Sequence, residues 1–188
     1  MSEAAPDASL VVNALTNQTT EENVKSSDFL LMKATVDPEQ DLTADAKLKI
    51  SLSHAMSKLL IKITVNGTTD AAMNKLGDMS INGAVVNGIC DLSATVPIVV
   101  PAPDAVVATV APYKGTESCE CILPPQKIVE GFSVNFSYDG KLYIWTAKEA
   151  IELEKGVEHT LTLNVNTTVR LAAKMARNWA TGQLIDRN

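Results

Sequence analysis

The chain has 188 residues, a formal net charge of −6, 46% apolar residues and 4% aromatic ones. That length suits one domain with short tails, and it buries enough surface to fold without disulfides or metal. The acidic balance argues against nucleic acid as the main partner, no apolar run is long enough for a transmembrane helix, and two histidines with three cysteines leave little material for metal or thiol chemistry.

Residues 1–26 are polar apart from Leu10-Val11-Val12. They read as a flexible N-terminal arm carrying one loosely held strand. The start, Met1-Ser-Glu-Ala-Ala-Pro-Asp, has no basic n-region and no apolar h-region. It therefore points to a cytoplasmic protein or to a leader outside this sequence. From Phe29 to Thr35 a short apolar run predicts a strand, closed by the turn signal Asp37-Pro38. Ala46 to Ser53 alternates, with Leu48, Ile50 and Leu52 on one face, as a half-buried strand does. Ser57 to Val65 is a second, more apolar strand, ended by Asn66-Gly67.

Residues 68–77 suit one helical turn stopped by Gly77. Met79–Ile81 and Ala84–Ile89 read as two short strands separated by Asn82-Gly83 and closed by Asn87-Gly88. The four prolines between Pro97 and Pro112 confine that stretch to edge strands or a crossing loop. Glu117–Leu123 is extended and broken by Pro124-Pro125. Phe132, Val134, Phe136 and Tyr138 alternate with polar residues up to Asp139-Gly140, and Leu142 to Trp145 come next. That is a hairpin with a two-residue type I′ turn. Glu152–Gly156 is a turn, and His159–Val165 alternates again. Arg170–Ala180 has good helix formers, yet Val169-Arg170-Leu171 also continues the preceding strand. Both readings stay open. Eight to ten short strands with regular turn signals make an all-β, antiparallel β-sandwich.

Chemistry is sparse. Glu158 and His159 are neighbours in sequence, so on a strand their side chains point to opposite faces. His54 has Ser53 and Ser57 nearby and no close acid. Cys90, Cys119 and Cys121 read as small buried residues, since a bridge between Cys119 and Cys121 would be strained on a strand. Glu149, Glu152, Glu154 and Glu158 read as a solvated loop rather than a calcium site. Asn66, Asn135 and Asn166 head N-glycosylation triplets, a weak signal in a chain rich in Asn and Thr. No catalytic, cofactor or metal residue is nominated, and no enzyme is expected.

Several short motifs then fall in an order that resembles the fimbrillin-like family. Ser27-Asp28-Phe29-Leu30-Leu31-Met32-Lys33-Ala34 resembles its "s-D-L-L-x-A" strand, and Leu52 to Leu59, with His54, Lys58 and Leu59, its "F-x-H-x-L-s-K-L" strand. Leu123-Pro124-Pro125-Gln126 resembles its "l-P-Q" turn, Tyr143 with Gly156 and Leu161–Val165 its "Y … G-x-x-Y-x-x-x-v" ending, and Trp179-Ala180-Thr181-Gly182 its closing "W-x-x-G". Met56 and Pro125 depart from the motifs, and the family's usual lipobox cysteine is absent. The resemblance implies a transthyretin-like β-sandwich over residues 27–182, followed by a tail at 183–188. It also implies a non-enzymatic fimbrial (pilus) subunit or adhesin at the cell surface and outer membrane, with a lipid anchor in the native precursor. Its implied partners are other pilus subunits, or surface proteins or glycans.

Such subunits join by strand complementation, in which a neighbour's extended segment pairs with an open sheet edge. Leu10, Val11 and Val12 are the candidates for a displaced strand. Val169, Leu171, Met175 and Trp179 are the candidates for a donor strand, or for a plain closing strand or terminal helix. The alternative function is a secreted β-sandwich that binds glycan or protein without polymerising. Only Tyr143 and Trp145 could form its aromatic platform, and they are expected to face opposite ways.

Overall fold

A computed structural model of the chain describes residues 8–32, 37, 50–66, 69–165, 171–178 and 184–185. The chain opens with β1 (Ser9–Asn13), a short helix α1 (Glu21–Ser26), β2 (Leu30–Leu31), β3 (Ser53–His54), β4 (Ser57–Val65) and β5 (Thr69–Asp70). A single 3-10 turn at Met73–Lys75 leads into β6 (Leu76–Val85), β7 (Asn87–Asp91), β8 (Val99–Pro101), β9 (Val107–Val110) and β10 (Tyr113–Lys114). Then come β11 (Cys119–Leu123), β12 (Gln126–Ile128), β13 (Ser133–Tyr138), β14 (Lys141–Thr146), β15 (Ile151–Leu153), β16 (Val157–Val165), β17 (Leu171–Asn178) and β18 (Leu184–Ile185).

The larger sheet runs β10-β11-β4-β16-β17-β18, with β5 also on β4. A four-stranded sheet runs β14-β13-β6-β9, and a three-stranded one β1-β7-β8. Two small pairs, β12–β15 and β2–β3, complete the set. Apart from β4–β16, which is parallel, the strand pairs are antiparallel. The central strand β4 has Leu59, Leu60 and Ile61 all buried, the near-continuous apolar run that a strand covered on both faces needs. Leu59, Ile61 and Ile63 of β4, Leu161 and Leu163 of β16, Val134 and Phe136 of β13, and Ile81 of β6 belong to one hydrophobic core. The architecture is therefore the expected β-sandwich.

The hairpin is as its sequence predicts. β13 and β14 pair without interruption from Ser133↔Thr146 to Tyr138↔Lys141, with Asp139 and Gly140 both at positive φ. Phe132 meets Trp145 edge-on at 6.2 Å, and Phe136 stacks on Tyr143 at 5.4 Å. Tyr143 and Trp145 are two residues apart and so share the inward face. The expectation that they diverge is wrong, but the shared face is packed on the core, with Trp145 buried, so the pair offers no exposed aromatic platform.

Other expectations need correction. From Ala8 onward the supposed arm belongs to the fold: β1 pairs with β7, Ala14 and Gln18 are buried, and α1 comes next. The strand expected at Ala46–Ser53 lies outside the described residues up to residue 49, while Ile50 and Leu52 are exposed and pairing starts only at Ser53. Of the strand expected from Phe29 to Thr35, Leu30–Leu31 pairs as strand, and residues 33–35 lie outside the described residues. Gly77 does not stop a helix but lies inside β6. Asn82-Gly83 does not separate a pair of strands either. β6 runs through it, and Gly83 (φ +88°) sits where the β6–β9 register slips. The tail is strand rather than helix over Leu171–Asn178. Glu158, expected in a solvated loop, is buried on β16 beside Lys58, at 3.7 Å.

Cys90, Cys119 and Cys121 are free thiols and all are buried. Burial pushes Cys119 up to about 11 and Cys121 further in the same direction. Well below pH 9 both folded and unfolded chains carry the neutral thiol, so these groups add no pH dependence. Between pH 9 and about 11 only the unfolded chain ionises, so stability falls as pH rises. Cys119 alone costs on the order of 2 kcal/mol by pH 11. Urea melts at pH 8 and pH 10.5 check this, and Cys119→Ala should reduce the difference, with Cys121 keeping the rest. A thiol reagent should label the native protein no faster than the protein opens.

Candidate assembly edges and their anchors

The nominated residues fall on two different sheets. Leu10, Val11 and Val12 all lie on β1, which pairs only with β7 among the described residues. The ladder runs from Ser9↔Asp91 to Asn13↔Asn87. One backbone bond extends it at each end: Leu92 N–H donates to Ala8 O at 3.1 Å, and Ala14 N–H to Val86 O at 2.9 Å. Val12 is the one buried side chain of β1, whereas Val11 is 66% and Leu10 41% exposed. Leu171 and Met175 lie on β17, in register with Leu163 and Thr160 of β16. β18 covers β17 only at Ala176 and Arg177, so its Leu171 end is an open edge among the described residues. Val169 and Trp179 lie outside the described residues.

The segment just after β1 holds the N-terminal region down. Ala111 N–H donates to Thr16 O, and Gln18 N–H to Ala111 O, both at 2.8 Å. The Gln18 side chain is fully buried. Its Nε2 donates to Leu15 O and Ile122 O, and its Oε1 accepts from Ile122 N–H, each at 2.8 Å. One amide thus pairs with both backbone groups of Ile122, as a neighbouring strand would. Gln126 repeats the device on β6. Its Oε1 accepts from Val85 N–H at 2.9 Å, and its Nε2 donates to Val85 O at 2.9 Å and Pro124 O at 3.0 Å. Sequence reasoning gave Gln126 only a turn and missed Gln18, because nothing local marks a polar residue that will be buried.

Helix α1 starts at Thr20, whose hydroxyl accepts from Asn23 N–H at 3.2 Å. Glu21 and Glu22 sit in its first turn and Lys25 in its last, the order that suits the helix dipole. Its one buried residue is Val24. Beside it lies a cleft of about 340 Å³ lined by Lys25, Asp28, His54, Lys58, Tyr113 and Glu120 among others. His54 Nδ1 and Asp28 Oδ2 are 2.7 Å apart, so the acid that the sequence did not place near His54 comes from 26 residues upstream. Lys58 Nζ is 2.7 Å from Glu120 Oε2. Tyr113 hydroxyl donates to Glu21 Oε1 at 3.2 Å, and that bond raises the phenol above its ordinary pKa. The Tyr113–Glu21 bond ties α1 to β10, the Asp28–His54 contact joins the segment after α1 to β3, and Lys58–Glu120 bridges β4 and β11.

The sequence profile of a family described as fimbrillin-like matches residues 2–178. The chain belongs to the fimbrillin-like family. The match confirms the resemblance and reaches the N-terminal segment that β1 and Gln18 bind into the fold. Two solved structures share the fold of this fimbrillin-like chain. Each is described as a "putative cell adhesion protein", one from Bacteroides uniformis and one from Bacteroides ovatus. Their TM-scores are 0.67 and 0.61, at 16% and 17% identity. The superpositions cover 95% and 94% of this chain, which spans 69% and 62% of the length of those chains. The tip fimbrial protein Mfa3 of Porphyromonas gingivalis, truncated at its C-terminus, gives a TM-score of 0.46 at 10% identity over 72% of this chain and 55% of that one, a likeness that supports no inference. No curated protein matches the chain in sequence.

Proposed function

We propose that this fimbrillin-like chain is a non-enzymatic fimbrial or adhesin-like subunit displayed at the cell surface, and that it joins neighbouring subunits by β-strand complementation at β1. The family supports the subunit role, as does the fold it shares with proteins described as adhesive. The observation that carries strand complementation is the construction of β1. Among the described residues it is an edge strand with one neighbour and one buried side chain. Leaving costs it the β7 ladder and the burial of Val12. A neighbour's strand of similar pattern restores both. Exchange stops at Thr16–Gln18, where the Ala111 ladder and the buried amide fix the chain. β17 is the second candidate, as donor or as closing strand. Other subunits are the proposed partners, and a lipid anchor in the native precursor would hold the chain at the outer membrane.

A cross-strand lock tests this. Val11 and Ile89 are register partners, so the double variant Val11→Cys/Ile89→Cys ties β1 to β7 under oxidising conditions. SDS-resistant ladders are expected from the reduced protein and should vanish on oxidation. Ladders that survive the lock but are lost on trimming residues 165–188 would move the exchange to β17. A protein that stays monomeric in both states and binds glycans on an array would overturn the reading in favour of a non-polymerising binder.

A further inference from the structure

The four-stranded sheet ends at β14, which has β13 on one side and no strand on the other among the described residues. Two features of β14 coincide. A two-residue turn makes Tyr138↔Lys141 the hydrogen-bonded closing pair, and the phase then alternates along the strand. Tyr143 and Trp145 therefore bond to β13. Ala147 N–H, in the same phase, does donate to Phe132 O at 2.9 Å. Leu142 and Ile144 aim their backbone N–H and C=O outward. These same two residues carry the most exposed large apolar side chains of the strand, Leu142 at 85% and Ile144 at 70%. An unpaired edge with apolar side chains at its donor and acceptor positions is a template for another strand.

We propose that β14 pairs with β14 of a second copy of this chain, antiparallel about a two-fold axis through Tyr143, joining two four-stranded sheets into one. In that register Leu142 lies opposite the partner's Ile144, and Ile144 opposite the partner's Leu142. Both outward-bonding residues on each side meet outward-bonding residues, as a closed symmetric contact requires. The one charge on the strand also fits. Lys141 lies opposite the partner's Trp145, so the two lysines stand at opposite ends rather than facing each other. The other rim of the sheet suits a partner less well. Exposed Val107 is on β9, but Pro103 and Pro112 flank that strand and the Thr16–Gln18 segment already occupies Ala111 beyond it. A single pair of short strands buries less than the ~1,200 Å² of a standard interface. The dimer is accordingly weak, with a Kd on the order of 10–100 μM.

Sedimentation equilibrium of the full chain, over roughly 10 to 500 μM, should show a reversible monomer–dimer equilibrium that SDS dissolves. Leu142→Lys/Ile144→Lys replaces two exposed side chains, so the thermal melt should not move, and dimerisation should weaken at least about tenfold. The register has its own readout. A mixture of the Leu142→Cys and Ile144→Cys proteins should form a disulfide heterodimer on mild oxidation, well above the homodimer yield of either alone. The oxidised Val11→Cys/Ile89→Cys lock should leave this dimer intact, which separates it from exchange at β1. A chain that stays monomeric throughout, an association untouched by the double lysine variant, equal cross-linking in all mixtures, or an association abolished instead by Val106→Lys/Val107→Lys would each overturn the proposal.

Discussion

Gln18→Ala is expected to destabilise the chain by about 3–5 kcal/mol, among the larger effects a single substitution here can have. The loss is not only of the three bonds its amide makes. Truncation leaves Ile122 N–H and C=O without their partner in a region closed to water, and each such orphan costs about 1–3 kcal/mol. A cavity adds to that. Urea unfolding should show a lower midpoint at unchanged slope. Gln18→Glu separates the hydrogen-bond argument from the volume argument. The carboxylate keeps the shape and still accepts from Ile122 N–H, but it sets a buried negative charge against Leu15 O and Ile122 O. Its folded-state pKa is therefore raised. At neutral pH the variant should be at least as unstable as Gln18→Ala. As pH falls below that raised pKa, the protonated acid can donate to a carbonyl, and the gap to the parent protein should narrow. A Gln18→Glu variant as stable as the parent at both pH 4.5 and pH 7.5 would show that volume rather than pairing sets the cost. Gln126, half-buried and bonded in the same way to Val85, should show a smaller loss as alanine.

The elements of the fold that the sequence disclosed are those whose signals are local. The 132–146 hairpin announces itself by alternation and a turn dipeptide, and β4 by an apolar run ended at Asn66, which does adopt positive φ. The elements that stayed hidden depend on distant partners. Nothing near Glu158 in the chain tells that Lys58 will lie beside it, and nothing near His54 points to Asp28. Both residues of that last pair belong to motifs that resemble the family, so the resemblance held a contact that the residues alone did not yield. Helix α1 was missed although Thr20, Glu21, Glu22 and Lys25 are all in helix-favouring positions, because six residues with one buried side chain leave no periodicity to read. The tail shows the converse. Leu171–Asn178 is rich in helix formers, and pairing with β16 overrides that preference. Of the candidate site, Leu10–Val12 was legible as an isolated apolar patch. Gln18, which limits how far that strand can leave, was not.

The dipeptides Asp139-Gly140 and Asn82-Gly83 look alike in sequence and should respond very differently to the same substitution. Both glycines have positive φ, +75° at Gly140 and +88° at Gly83, so either as alanine bears the strain of a left-handed backbone, about 1 kcal/mol. At Gly140 that is the whole cost, since a Cβ there would meet nothing within 4 Å. At Gly83 the Cβ would be driven into the backbone carbonyl of Gly131, with Phe132 Cα at 2.9 Å. Those are main-chain atoms at the foot of β13, fixed by the Phe132 ring in the core and by the β6–β13 register from Ser133↔Asn82. They can give way only if the strand pair opens. Gly83→Ala should therefore cost about 3 kcal/mol or more, and Gly140→Ala about 1 kcal/mol. Gly131 supplies the internal control. It too has positive φ (+79°) with open space around its missing Cβ, so Gly131→Ala should match Gly140→Ala. Thermal melts of the three variants decide it. Equal losses at all three positions would mean that backbone strain alone sets the cost and that the β6 bulge can relax away from Gly131. A large loss confined to Gly83 would show that the second glycine of Asn82-Gly83 is there for the close approach of two strands, which is why that dipeptide makes a bulge where Asp139-Gly140 makes a turn.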